Sequence, residues 1–351
     1  MAWYRQRKPL KKEKPYTITQ VSSISIDNNY SCQDIAPCLT YSNGTEYCII
    51  GVAPSDTSEA PLLIYNMDTL ETVPTTFDGA GEKVGNYVPG SIASLYPKEL
   101  DVLSPVMFTS MNPDYIDLYF KAENAVGAWS AERADGDVPN FIVSVLGDTN
   151  YFCRYCIGYP SYDVIKYDDY SCTNWKSVNF PETLANAAGL SSGYVGMVGS
   201  IGNYAGNYVG FFDEMDSTLY FLNLQNNEVV STLSGSEWVV NGDLGIAIDT
   251  ATGKTFQAKN AYNYDWTQLA TLPKTDSYLS VCMINGMTTV IMPDSTNDKG
   301  NLFVMKDGEW VEGTVDAQIG SFVLASHYRE NQLYSYNPNM GTLDILKFTE
   351  S

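Results

Sequence analysis

Residues that can attack a bond, move a proton or hold a metal are few in this chain. Its single histidine, His327 in Ser326-His327-Tyr328-Arg329, would have to be the base of any Ser–His or Cys–His device. Nothing around it resembles a nucleophile elbow, and it reads as a locally hydrogen-bonded turn or strand histidine. Cys153-Arg154-Tyr155-Cys156 has the spacing of half a zinc site or of a redox pair. Zinc needs a second pair or a Cys/His partner at suitable spacing, and only Cys172 follows. On a strand, positions three apart also point to opposite faces. Asp213-Glu214-Met215-Asp216 and Asp294-Ser295-Thr296-Asn297-Asp298-Lys299-Gly300 are oxygen-rich, but neither has the EF-hand register, so both read as solvated turns. There is no GxxxxGK[ST] loop, and the glycines of Gly193-Tyr194-Val195-Gly196-Met197-Val198-Gly199 lead into more strand rather than a helix. We therefore assign no catalytic residue, no metal ligand and no cofactor.

One enzymatic reading needs only two carboxylates. Glycoside hydrolysis runs on such a pair, and with 41 acidic residues the alternative of a carbohydrate-binding or glycoside-hydrolysing protein stays open. Met305-Lys306-Asp307-Gly308-Glu309-Trp310 partly matches the Asp-box of sialidases, but the leading Ser and the Thr are missing and the match occurs once. Beyond the N-terminus only Arg133, Arg154 and Arg329 remain to bind a sugar carboxylate.

The formal charge is −21, and it is segregated. Residues 1–14 hold six cations (Arg5, Arg7, Lys8, Lys11, Lys12, Lys14) and one anion, Glu13, which leaves 14 cations against 40 anions in the remainder. A body this acidic repels nucleic acid, whose non-specific affinity comes from Lys and Arg neutralising phosphates. It also resists self-association. The first 15 residues read as a basic docking arm: two prolines and no helical period indicate an extended peptide. Trp3 and Tyr4 are its aromatic anchors, and Arg5, Arg7, Lys8, Lys11, Lys12 and Lys14 its partner-binding cations. No apolar stretch follows the arm, so no secretion signal is expected. No run reaches the roughly 18 apolar residues of a spanning helix, so no membrane partner is expected either. The seven cysteines (Cys32, Cys38, Cys48, Cys153, Cys156, Cys172, Cys282) read as scattered thiols of a protein made in a reducing compartment.

Residues 16–351 read as one all-β domain. Short runs rich in Val, Ile, Tyr, Phe and Thr are cut by Gly, Asn, Asp and Pro, and the only helix expected is a short one over Glu182–Ala188, closed by Gly189. A loose unit recurs: an apolar strand with an aromatic, an Asn/Asp turn, then a strand carrying Trp or alternating Val/Leu. It is seen at Leu62–Val73, Leu118–Ser130, Val164–Val178, Leu219–Leu233, Phe256–Leu269, Leu302–Glu312 and Leu333–Leu346. Closing strands mostly recur at 35 to 50 residues, the period of a four-stranded propeller blade. The expected fold is thus a β-propeller of about seven blades, six being possible; a pair of β-sandwiches is the competitor. The last unit lacks a strand, and Thr17–Ile26 alternates as an edge strand should. Residues 17–26 are expected to complete the last blade and so close the ring. Among the 26 tyrosines, Tyr262-Asn263-Tyr264-Asp265-Trp266 and Gly202–Tyr208 read as packed or ligand-facing surface.

An acidic, Tyr/Asn-rich, His-poor all-β chain with a basic leader resembles the tail or neck proteins of short-tailed bacteriophages, in which propeller-like nozzle and hub subunits ring the DNA exit channel. The resemblance covers the whole chain by architecture and composition and rests on no motif. It implies a non-catalytic virion subunit in a ring homo-oligomer, made in the host cytoplasm and not secreted. Its arm would clasp tail or portal-adaptor components. DNA would pass nearby without specific binding.

Overall fold

The structure, a computed structural model, describes residues 14–26, 37–42, 44–51, 62–73, 92–94, 105–109, 117–121, 140–145, 151–168, 171–201, 208–241, 245–258, 265–276, 278–294, 299–326, 329–337 and 340–351. Nearly all of them form strands, in seven separate sheets. Six sheets are antiparallel meanders in chain order. Blade 1 is Pro37–Ser42, Thr45–Gly51, Leu62–Asn66 and Glu71–Thr72; blade 2 is Ile92–Ser94, Pro105–Thr109 and Asp117–Lys121. Blade 3 is Asn140–Val145, Tyr151–Cys156, Ser161–Asp168 and Ser171–Asn179; blade 4 is Val195–Ile201, Tyr208–Asp213, Thr218–Asn223 and Glu228–Ser234. Blade 5 is Trp238–Asn241, Ile246–Asp249, Thr255–Ala258 and Trp266–Gln268; blade 6 is Ser280–Ile284, Met287–Asp294, Lys299–Lys306 and Glu309–Glu312. The first strand of each blade touches the first strand of the next, and that of the seventh (Phe322–Ala325) touches that of the first. The sheets therefore stand around one axis with their first strands innermost. The chain is a seven-bladed β-propeller.

The seventh blade is built differently. Phe322–Ala325, Gln332–Asn337 and Thr342–Glu350 follow in order, and the fourth strand is Tyr16–Ser25 from the other end of the chain. It runs antiparallel to Thr342–Glu350, from Tyr16 opposite Glu350 to Ser25 opposite Thr342, with one irregularity between Gln20 and Ser22. Its far edge pairs in parallel with Thr314–Asp316, which continues the outer strand of blade 6. Pairing on both sides over residues 17–19 makes this the best-held terminal strand a sheet can offer.

Turn chemistry follows the sequence closely. Asn285-Gly286 and Asp307-Gly308 have φ of 51° and 73°, and of 53° and 82°. Two successive positive φ values are what a two-residue hairpin turn needs to match strand twist. Met305–Trp310 is therefore a hairpin of blade 6. The expected helix exists as one turn, Glu182–Ala185, followed by a 3-10 turn at Leu190–Ser192.

Apolar burial lies between blades, not within them. One cluster joins Tyr155, Tyr162 and Phe180 of blade 3 to Val209, Phe211 and Leu222 of blade 4; others fill the 4–5, 5–6, 6–7 and 7–1 interfaces. Tyr16 and Ile18 of the N-terminal strand are fully buried in the 6–7 cluster beside Leu302, Leu346 and Phe348. Burying two such side chains is worth about 1.5–3 kcal/mol each, before counting the ladder. Deleting residues 1–26 is expected to leave no cooperative thermal transition, whereas deleting 1–13 should hold the melting temperature within about 2 °C. Equal melting of the two truncations, by circular dichroism or calorimetry, would show that the N-terminal strand contributes nothing.

Candidate functional site: the root of the basic arm and the polar ties of the ring

Of the eight residues assigned to partner binding, the structure describes Lys14. Trp3, Tyr4, Arg5, Arg7, Lys8, Lys11 and Lys12 lie outside the described residues. Lys14 sits at the entry to the N-terminal strand, exposed, with Nζ 2.6 Å from Glu312 Oε1 at the end of the outer strand of blade 6. Two residues on, Tyr16 stacks on Phe348 with ring centroids 5.7 Å apart. The arm therefore leaves the body from a fixed point on the outer rim, between blades 6 and 7. A rigid root of this kind can carry a terminal peptide without loosening the domain. The innermost strands of all seven blades, by contrast, contain no Asp, Glu, Lys, Arg or His. Charge is thus absent from the innermost strands.

Every buried carboxylate among the described residues is bound to fixed donors. Asp213 accepts from Gly189 N at 2.8 Å and from Met215 N at 2.8 Å; a Cβ at position 189 would collide with that carboxylate, so only glycine lets the linker come so close. Asp249 accepts from Ala251 N at 3.2 Å and the Thr252 hydroxyl at 2.6 Å. Asp163 takes Arg154 at 3.1 and 2.6 Å and the Ser177 hydroxyl at 2.6 Å. Asp294 takes Lys274 at 2.9 Å, and Asp344 takes Ser23 at 2.5 Å. The loop Asp213–Asp216, with its metal-like composition, is thus a tie between a blade and its incoming linker. Residues 295–298 of the other oxygen-rich loop lie outside the described residues. No group of three or more His, Cys, Asp or Glu among the described residues could hold a metal ion.

Sequence reasoning missed the densest polar cluster. Glu46, 2% exposed, accepts from the Tyr334 and Ser326 hydroxyls across the 7–1 interface. Arg329 Nε stands 3.8 Å from Glu46, and the guanidinium also donates to the Met67 carbonyl at 2.5 Å and to the Asp68 carboxylate. A hydroxyl, a carboxylate and an arginine together suggest a sugar site, but Tyr334 is only 1% exposed. Burial, then the Glu46 charge, hold its phenol well above the ordinary range. The one signal in the sequence was a charge inside the apolar run Thr45-Glu46-Tyr47-Cys48-Ile49-Ile50.

The recurring tryptophan of the closing strand also has a structural use. Trp266 Nε1 donates to the Ser231 hydroxyl of blade 4 at 3.2 Å, and Trp310 Nε1 to the Ala270 carbonyl after blade 5 at 2.9 Å. Each blade reaches back 35 or 40 residues to its predecessor. Cys153 and Cys156 share one strand and form no disulfide, Cys153 buried and Cys156 partly exposed. His327 and most of both Tyr/Asn strings lie outside the described residues; Tyr208 is buried and Trp266 is the tie just described.

No family model matches this chain, and no curated protein does. Solved structures do. The β-propeller domain of Myceliophteria thermophila Cps50 (Swd1) is similar with a TM-score of 0.58 at 10% identity, over 93% of this chain and 99% of that one. The WD40 domain of Toxoplasma gondii coronin gives 0.49 at 11%, over 97% and 87%. At 10% identity the likeness to the first of these shows the propeller fold alone.

Two outcomes follow. Tyr334→Phe leaves Glu46 short of a donor in a buried seam, and urea unfolding should register a loss of about 1–3 kcal/mol; no loss would make the seam network ornamental. Burial pushes the Cys282 thiol from 9.0 to about 12 and the Tyr155 phenol from 10.0 to about 12. Raised values mean that this contribution is intact below pH 9 and disappears as pH climbs toward 12. Melting temperature should therefore be flat with respect to these groups up to about pH 9 and fall between pH 9 and 12.

Proposed function

We propose that this chain is a non-catalytic propeller subunit of a larger assembly, joined to a neighbouring protein by its basic N-terminal arm. The observation that carries the reading is the rigid root: six cations in residues 1–14 issue from a rim point where the next strand is paired on both edges. A tethered cationic peptide with an aromatic tip suits an acidic, partly apolar groove on a partner, since steering comes from charge and anchoring from Trp3 and Tyr4. The N-terminal strand is, on this reading, the closure of the ring, so that pulling on the arm loads the blade 6–7 joint instead of a loose end.

Commitment of every described buried carboxylate to a structural donor supports a non-catalytic role. In the setting that the resemblance implies, the assembly is a phage tail or neck ring around the DNA channel. The partners are tail or portal-adaptor components and further copies of this chain, with the virion as its location. An acidic body suits that setting because a strongly negative surface lets DNA slide past.

Removing residues 1–13 is the test. Incorporation into the particle, or mass in solution with its partner by light scattering, should drop at least tenfold, while the melting temperature stays within about 2 °C. Undiminished incorporation overturns the docking reading. Glycan binding or hydrolysis that responds to a surface carboxylate or tryptophan would favour the carbohydrate alternative.

A further inference from the structure

The outermost strand of a blade is paired on one side only, and an open edge can recruit a strand from another chain. The outer strands of this ring meet that hazard in two ways. Those of blades 1, 5 and 6 (Glu71–Thr72, Trp266–Gln268 and Glu309–Glu312) are only two, three and four residues long, and they pair without irregularity. Those of blades 3, 4 and 7 are nine, seven and ten residues long. Each of these three carries one residue more than the strand beside it. In blade 3, Ser171 and Asn174 lie opposite Asp168 and Lys166. In blade 4, Val229 and Ser231 lie opposite Leu222 and Phe221, and in blade 7, Gln20 and Ser22 lie opposite Leu346 and Ile345. The extra residues of blades 4 and 7 are Val230 and Val21, 39% and 62% exposed, so neither serves the core.

We propose that these extra residues guard the long outer edges, and that Val21 keeps residues 20–25 from pairing with the same strand of a second copy of this chain. A bulge leaves one residue out of the ladder, bends the strand and tightens its twist, so that a flat partner no longer fits along it. The stretch behind Val21 needs such a guard most. Thr314–Asp316 covers the outer edge of the N-terminal strand over residues 17–19 only, and the break comes directly after that cover ends. Gln20-Val21-Ser22-Ser23-Ile24-Ser25 has no charge and no proline, the side-chain devices that otherwise spoil an edge. Lys176 stands in the outer strand of blade 3, and Glu228 in that of blade 4. The ring itself does not need the extra residue. Tyr16 and Ile18 pack in the 6–7 cluster with Leu346 and Phe348, while Ile24 and Ile26 pack in the 7–1 cluster with Leu343 and Ile345. Without Val21 the ladder would run on from Gln20 opposite Leu346 to Ser22 opposite Ile345, and all four side chains would keep their clusters. Asp344, which accepts from Ser23 at 2.5 Å and from Gln20 at 3.4 Å, would keep both donors. This inference goes beyond the docking reading and does not depend on it.

The test is deletion of Val21 in the full chain. The variant should keep a single cooperative melt at or above the wild-type temperature. Its mass by sedimentation should rise with concentration to about twice that of wild type, as two copies pair through residues 20–25. Val21→Ser, which retains the extra residue and removes its methyl groups, should keep the wild-type mass. Adding Ser25→Lys to the deletion places a charge at an exposed position of the edge and should restore the wild-type mass. A deletion variant that melts normally and shows the wild-type mass overturns the inference, and so does association that Ser25→Lys leaves intact. Should the deletion of Val21 prevent folding, deletion of Val230 decides instead: a mass above wild type supports the guard, and an unchanged mass overturns it. A second failure to fold overturns it as well, because the extra residues would then serve the ring and not its edges. The truncation test of docking is untouched by any of these results, since it removes only residues 1–13 and reads partner association.

Discussion

A four-stranded sheet with apolar side chains on both faces cannot be stable in water by itself; it must be covered twice. That single constraint generates the architecture. Each described cluster of buried residues straddles two blades, and blades 4 to 7 each lend one face to the blade before and one to the blade after. Only a ring satisfies all faces, because a linear stack would leave two apolar faces and two strand edges in water. The N-terminal strand adds itself to the sheet of the seventh blade, beside Thr342–Glu350. Tyr16 and Ile18 fill the 6–7 interface, and the backbone of residues 17–19 is paired on both edges.

Packing alone does not fix the angle between blades, and the polar ties supply that direction. A buried carboxylate costs several kcal/mol unless its oxygens find donors. Here the donors come from a different strand group or linker than the acid itself in two cases: Gly189 reaches Asp213, and Ser326 and Tyr334 reach Glu46. The tryptophan bonds from blade 5 to blade 4 and from blade 6 to blade 5 act in the same sense. Such bonds are directional, so they choose one geometry among the many that apolar contact would tolerate.

Electrostatics then separates the molecule into parts. With 40 acidic residues outside the first 14 being counted against 14 cations, a body of one sign gains solubility and loses affinity for polyanions and for itself. A cationic leader on such a body has two kinds of acidic surface available, its own rim and a neighbour's groove. The contact of Lys14 with Glu312 shows that the rim competes for at least the base of the arm.

Much of this was legible in the residues. Alternation is a local property, so strand class and the recurring units of the propeller could be read directly. The unit at Leu333–Leu346 matched the template even though it supplies the second and third strands of its blade rather than the third and fourth, because a pattern of apolar strand and turn does not record position from the axis. Segregation of charge between leader and body was equally plain in the composition. What only the tertiary structure decided depends on residues far apart in the chain. The sequence showed Glu46 as an oddity in an apolar strand, and folding brought it Ser326, Arg329 and Tyr334 from some 280 residues away. It showed tryptophans recurring in closing strands, and folding made them bonds between blades. The register that sets Thr17 beside Thr314 exists only once the ring has been assembled, because pairing between distant strands is chosen by which faces need burial, and no local pattern encodes that partner.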